Sequence, residues 1–201
     1  MTNEFHTVIF TSRPKDNKDV AGFHARGEQH VARLEFATLG HLADVTVARF
    51  GDMFERFANA GVAGETSRLY VTLNGADSDR CLKELALEIM QDKVSSVTKV
   101  NAAVASLVAR PDMSATKRWL FDADCDEKTA RKFAKRVDEE LAKRYGADSP
   151  LAKCYMFPSK SNFAVCTNAR FDTRKLLAEF PDVELKKEAS LFCMAITKAR
   201  R

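Results

Sequence analysis

Apolar and polar residues alternate along Phe5–Ser12 ("FHTVIFTS"), the two-residue period of a half-buried strand, until Pro14 and the polar loop "RPKDNKD" interrupt it. Between Gly22 and Gly51 short runs such as "VARLEF" and "VTVARF" predict one strand and one short helix. "DMFERFANAG" has helical spacing, with Asp52 as its expected N-cap and Gly61 as its stop. "SRLYVTLNGA" (67–76) is rich in β-branched and aromatic residues and closes on Asn74-Gly75, which predicts a strand and a turn. One or two helices follow. Leu82, Leu85, Ile89 and Met90 recur there at helical spacing behind Asp77 or Ser78 as cap, and that stripe is expected to be core.

The C-terminal half is more sharply punctuated. "KRWLFDAD" reads as a strand, and "DEKTARKFAKRVDEELAKRYG" as an amphipathic helix stopped by Gly146. "KCYMFPS" and "NFAVCTN" are two strands joined by the turn "SKSN". "DTRKLLAEF" is a short helix halted by Pro181, and "EASLFCMAIT" is a closing strand. The order β-α-β-β-α-β from Lys117 onward is a split-βαβ pattern. The expected class is therefore α+β, with a mixed or antiparallel central sheet and helices packed mainly on one face. Residues 1–66 would form a strand-and-helix extension and 67–201 the core, unless the whole chain is one domain.

Composition narrows the function classes. With 201 residues, 45% of them hydrophobic, the chain can bury a proper core, and 30% charged residues with a net charge of +4 permit but do not demand a polyanionic partner. No apolar run has the length of a signal peptide or a membrane span, so a soluble, cytoplasmic protein with no membrane partner is expected. Cys81, Cys125, Cys154, Cys166 and Cys193 form no CxxC, and most sit in apolar runs, as reduced buried thiols do. His6, His24, His30 and His41 all lie in the first quarter without metal-ligand spacing, and read as exposed or locally satisfied. There is no P-loop, GxGxxG or GxSxG.

The chemistry gathers at "FDAD". Asp122 and Asp124 are two apart in an expected strand, so both point to one face, an arrangement suited to Mg²⁺ or Mn²⁺ in phosphoryl transfer. The other reading is plainer: Asp122 ends the strand, and Asp124 or Asp126 caps the next helix. Basic residues surround this segment. Lys128, Arg131, Lys132, Lys135 and Arg136 crowd the following helix, Lys153 and Lys160 flank the hairpin, and Arg170, Arg174 and Lys175 the next helix. If several border the sheet face that carries Asp122, they suit a docked polyanion; otherwise they are ordinary exposed helix positions.

In its succession of elements the C-terminal half resembles the catalytic core of archaeo-eukaryotic primases, the primase-polymerase superfamily. "WLFDAD" is similar to that family's paired-aspartate motif, and "PSKSNFAVCT" to its serine-containing hairpin, with Asn162 or Ala164 where the family has a nucleotide-binding histidine. "DVELKKEASLF" offers Asp182, Glu184 or Glu188 for the third acid. Residues 67–197 also resemble small bacteriophage proteins, through "SRLYVTLNGAD", "RWLFDAD" and "FDTRKLLAEF…LKKEASLF". The resemblance implies a phage-encoded protein of the host cytoplasm that binds nucleic acid, including single strands, or nucleotides. If active, it would be a metal-dependent nucleotidyltransferase, with Asp122, Asp124 and Glu188 as metal ligands. Lys160 and Ser161 would hold phosphate, and Lys132, Arg136 and Arg174 the strand. The alternative is an inactive derivative that works by binding a host protein.

Overall fold

A computed structural model describes residues 2–94, 96–159, 162–186 and 189–199. The chain is α+β, with two antiparallel sheets in two compact units, Met1–Ala115 with Phe192–Arg201, and Thr116–Leu191. The division falls at residue 115/116, well beyond the 66/67 boundary that composition suggested. Its cause is strand pairing across the sequence. Among the described residues, no helix is long and apolar enough to cross a membrane.

In the first unit β1 (Thr2–Ser12) and β2 (Arg26–Phe36) form a long hairpin, paired without a break from Thr2 opposite Phe36 to Ser12 opposite Arg26. β3 (Thr66–Thr72) lies on the other side of β1, and short β4 (Ala76–Asp77) also pairs with β1. β3 thus belongs with the N-terminal strands rather than with a separate core. Helix α1 (Leu42–Asn59) lies over this sheet and buries Leu42, Thr46, Phe50, Phe54, Phe57 and Ala58. Phe10 of β1 sits among its rings, 5.5 Å from Phe54 and 5.7 Å from Phe57 between centroids.

This helix begins ten residues before Asp52, so Asp52 is not an N-cap and Gly51 is helix interior. The β-branched run around Val45–Val47 resembles a strand locally, but burial of one helical face decides the outcome. The C-terminal end of α1 is held electrostatically. The Lys198 ammonium donates to the carbonyls of Asn59 (2.7 Å) and Gly61 (2.6 Å), where the helix dipole is negative.

α2 (Ser78–Met90) is capped by Asp77, whose carboxylate accepts from the Arg80 N–H at 2.9 Å. With α3 (Val97–Val108) it covers a small core of Ala76, Cys81, Leu107 and Met113, to which Phe5, Leu85 and Val108 add. Of the stripe expected to be core, only Leu85 packs there. Leu82, Ile89 and Met90 are exposed.

In the second unit β5 (Trp119–Ala123), α4 (Glu127–Tyr145), β6 (Cys154–Pro158), β7 (Phe163–Thr167), α5 (Arg174–Glu179) and β8 (Val183–Lys186) follow one another as β-α-β-β-α-β. The sheet order is β6-β7-β5-β8. Phe121, Ala123, Val165 and Val183 of the sheet pack with Ala130, Phe133, Val137 and Leu141 of α4, with Leu176 of α5 and with Phe180, which ends α5. Both helices therefore cover one face, as a split-βαβ unit requires. The fourth strand is β8, not the closing "EASLFCMAIT" segment. That segment, β9 (Ser190–Thr197), joins the first sheet beside β3.

Candidate functional site

β5 alternates. Phe121 and Ala123 face α4 and α5, so Asp122 faces the other side of the sheet, which it shares with buried Leu120 and Cys166. The ladder places Asp122 opposite Ala164 of β7 and directly opposite Glu184 of β8. Side chains opposed in this way have Cβ atoms about 5 Å apart, and two like charges there repel. Lys186, two residues along β8 and on the same face, relieves the repulsion by donating to Glu184. The Lys186 ammonium is held above its ordinary pKa, first by this hydrogen bond and further by the negative charges of Glu184, Asp122 and Asp124.

Asp124 lies past the strand end and is exposed. Its N–H donates to the Asp182 carbonyl at 2.9 Å, and its carboxylate accepts from the Asn162 side-chain amide. Asn162, at a position where the primase resemblance expects a histidine, is thus a partner of the second aspartate. The acids make this corner strongly negative. The Cys125 thiol is pushed up by burial and then by the charges of Asp126, Asp182 and Asp124.

The helix cap is Asp126 rather than Asp124. Its two carboxylate oxygens accept from the Thr129 N–H at 3.0 Å and the Thr129 hydroxyl at 2.9 Å, and these bonds hold its carboxyl below the usual range. "FDAD" therefore supplies one acid to the sheet face and one to the hairpin, while the cap comes two residues later.

Hard carboxylate oxygens are the right donor type for Mg²⁺ or Mn²⁺. The described donors do not make a self-contained metal centre. Glu184 is engaged by Lys186 and Asp124 by Asn162, and among the described residues no group of three or more His, Cys, Asp or Glu is arranged to hold a metal ion. Glu188, Lys160 and Ser161 lie outside the described residues.

Among the described residues, the basic side chains of α4 do not border the acids. Lys132 and Arg136 lie on α4, which covers the Phe121 face, the side of the sheet away from Asp122. Arg136 is occupied by Glu139 (2.7 Å) and Glu179 (3.3 Å), Arg131 by Glu127 (2.5 Å), and Arg174 by Asp172 (2.6 Å). What α4 does present is a row of three exposed lysines, Lys128, Lys132 and Lys135, at i, i+4 and i+7. None of the three is in a close ion pair with a described carboxylate, although the Lys135 charge helps to hold Glu139 below its usual pKa. Lys132 reaches across to the Phe180 ring, 5.9 Å from its centroid.

The histidines take no part in this site. His6 is fully buried, its Nδ1 2.7 Å from the Thr72 carbonyl and its Nε2 3.3 Å from buried Glu4. His30 packs on the ring of Phe10. The five cysteines are free thiols, and burial raises Cys154 and Cys166 far above the ordinary thiol range and Cys193 to about 12.

No family model matches the chain, and no curated protein or solved structure matches it.

The paired aspartates and the crowd of basic residues on α4 were visible in the sequence, but not which of those cations are left out of ion pairs. Lys186 was not singled out, although the alternation in "VELK" puts Glu184 and Lys186 on one strand face.

Proposed function

We propose that this is a nucleic-acid-binding protein with a degenerate primase-polymerase-like second unit, and that it holds a phosphate backbone along α4. The observation that carries the reading is the row of Lys128, Lys132 and Lys135, exposed on one helix face and in no close ion pair among the described residues. Lysines not tied up in close ion pairs can neutralise phosphates and release the counterions condensed on them, the main source of sequence-independent affinity. Arg131 and Arg136 flank the row in ion pairs and contribute less, because each must first leave its acid.

The β-α-β-β-α-β order, with Asp122 on the first strand opposite Glu184 on the fourth, supports the primase-like part. The partners already held by Glu184 and Asp124 support the word degenerate: these acids have internal roles. The phage origin rests on the resemblance of residues 67–197, and with it goes action in the host cytoplasm.

Fluorescence anisotropy with a labelled single-stranded oligonucleotide tests the reading. Changing Lys128, Lys132 and Lys135 together to Ala should weaken binding strongly, while Glu184→Gln should leave it nearly unchanged. Loss of binding in Glu184→Gln with retention in the triple variant would move the site to the sheet face. No binding by the wild type at low salt would end the proposal.

A further inference from the structure

The cations of the second unit divide by what holds them. Arg131, Arg136, Lys143 and Arg174 lie against carboxylates, which offset their charge. Lys132, Arg144 and Arg170 lie over aromatic rings instead. Arg144 is 5.5 Å from the centroid of the Tyr145 ring, and Arg170 is 5.8 Å from that of Trp119. Both arginines are exposed, and neither is in an ion pair among the described residues. A ring quadrupole steadies a guanidinium without neutralising it, so each keeps its full charge and an outer face open to a ligand.

The two arginines belong to one patch. Tyr145 ends α4, and its hydroxyl donates to the Arg170 carbonyl at 2.6 Å, which ties the segment around residue 170 to the helix end. Trp119 in turn packs on buried Phe171, 6.1 Å between centroids, so the ring under Arg170 is anchored in the core. Lys135 and Tyr145 stand about 15 Å apart along the helix axis, which puts the patch beyond the end of the lysine row.

Building on the phosphate contacts proposed for α4, we infer that bases of the same single strand stack on Arg144 and Arg170. Position favours a base over a phosphate here. The patch lies at the C-terminal end of α4, where the helix dipole is negative and disfavours a phosphate. A base carries no charge, and its π-face stacks on a guanidinium plane as it does on an aromatic ring. A duplex keeps those faces between its own base pairs, so the ligand is a single strand.

Fluorescence anisotropy on the full chain tests this inference with two labelled probes, a single-stranded oligonucleotide and an abasic strand of the same length and charge. The wild type should bind the base-bearing strand more tightly. Arg144→Lys and Arg170→Lys keep the charge and remove the plane. Each should weaken binding of the base-bearing strand about fivefold or more, the size of one lost stacking contact, and leave the abasic strand unchanged. Changing Lys128, Lys132 and Lys135 to Ala should instead weaken both strands alike. Equal loss on both probes in the arginine variants would make the guanidinium groups phosphate contacts, and no loss on either would make them bystanders. Each of those results overturns the inference and leaves the lysine row standing, as does equal wild-type affinity for the two probes. A wild type that binds neither probe at low salt ends the reading of α4, and this inference with it. The arginines are changed one at a time, so a variant that unfolds leaves the other to decide.

Discussion

Two glycines of the first unit should respond in opposite directions to the same added methyl group. Gly51 lies inside α1, and a Cβ built there meets nothing closer than a Val47 methyl at 4.0 Å. Alanine costs no steric strain at such a site and removes the entropic penalty of glycine in a helix, so Gly51→Ala should stabilise the protein by about 0.8–1 kcal/mol. For a chain of this size that is roughly 2–4 °C in melting temperature. Gly75 is the contrast. Its Cβ would stand 2.5 Å from Glu4 Oε2 and 2.6 Å from His6 Nε2, and both of those residues are buried. Gly75→Ala must push that pair aside, at a cost of about 1–3 kcal/mol. Thermal melting followed by far-UV circular dichroism reads both. A fall in stability for Gly51→Ala would show that α1 does not run through residue 51, and that a helix starting at Asp52 was the better reading.

Other consequences concern single acids. Among the three aspartates of "FDADCD", Asp126→Ala should lower the melting temperature most, because only Asp126 caps α4; an equal or larger loss for Asp124→Ala would contradict the cap assignment. Burial of Glu65 would by itself raise its pKa, but hydrogen bonds from Arg26 and the Val62 N–H, with a further one from Ser12, bring it below the ordinary carboxyl range. A depressed carboxyl contributes stability that is present above the unfolded-state pKa and lost as pH falls through the folded one. Urea midpoints should therefore drop on acidification from about pH 5 to pH 3, and the drop should be shallower in Glu65→Gln. Parallel acid profiles of the two proteins would refute this role for Glu65.

Much of the second unit was legible because its signals are local. An aspartate cap, left open between Asp124 and Asp126, together with Gly146 as stop and the period of Phe133, Val137 and Leu141, announces α4 locally. The start of α1 was hidden, since Val45, Thr46 and Val47 look like a strand until Phe50, Phe54 and Phe57 find Phe10 on the sheet. β8 is only four residues long and charged on one face, so it gave no run to detect, and the later apolar segment took its place in the reading. Nothing in "EASLFCMAIT" itself says that it pairs with β3, more than a hundred residues away. The same limit applies to the site. Asp122 could be picked out, but Glu184 as its neighbour depends on the register of β5 with β8, a non-local fact. Lysines at i, i+4 and i+7 were readable as one helix face, whereas which cations are already paired required the positions of the acids.

The salt dependence of single-strand binding tests the central claim most directly. Each lysine that neutralises a phosphate contributes about 0.7 to the slope of log affinity against log salt concentration on single strands. Removing Lys128, Lys132 and Lys135 should therefore make the slope shallower by about 2, while Glu184→Gln leaves it unchanged. A wild-type slope preserved in the triple variant would contradict a phosphate backbone held along α4.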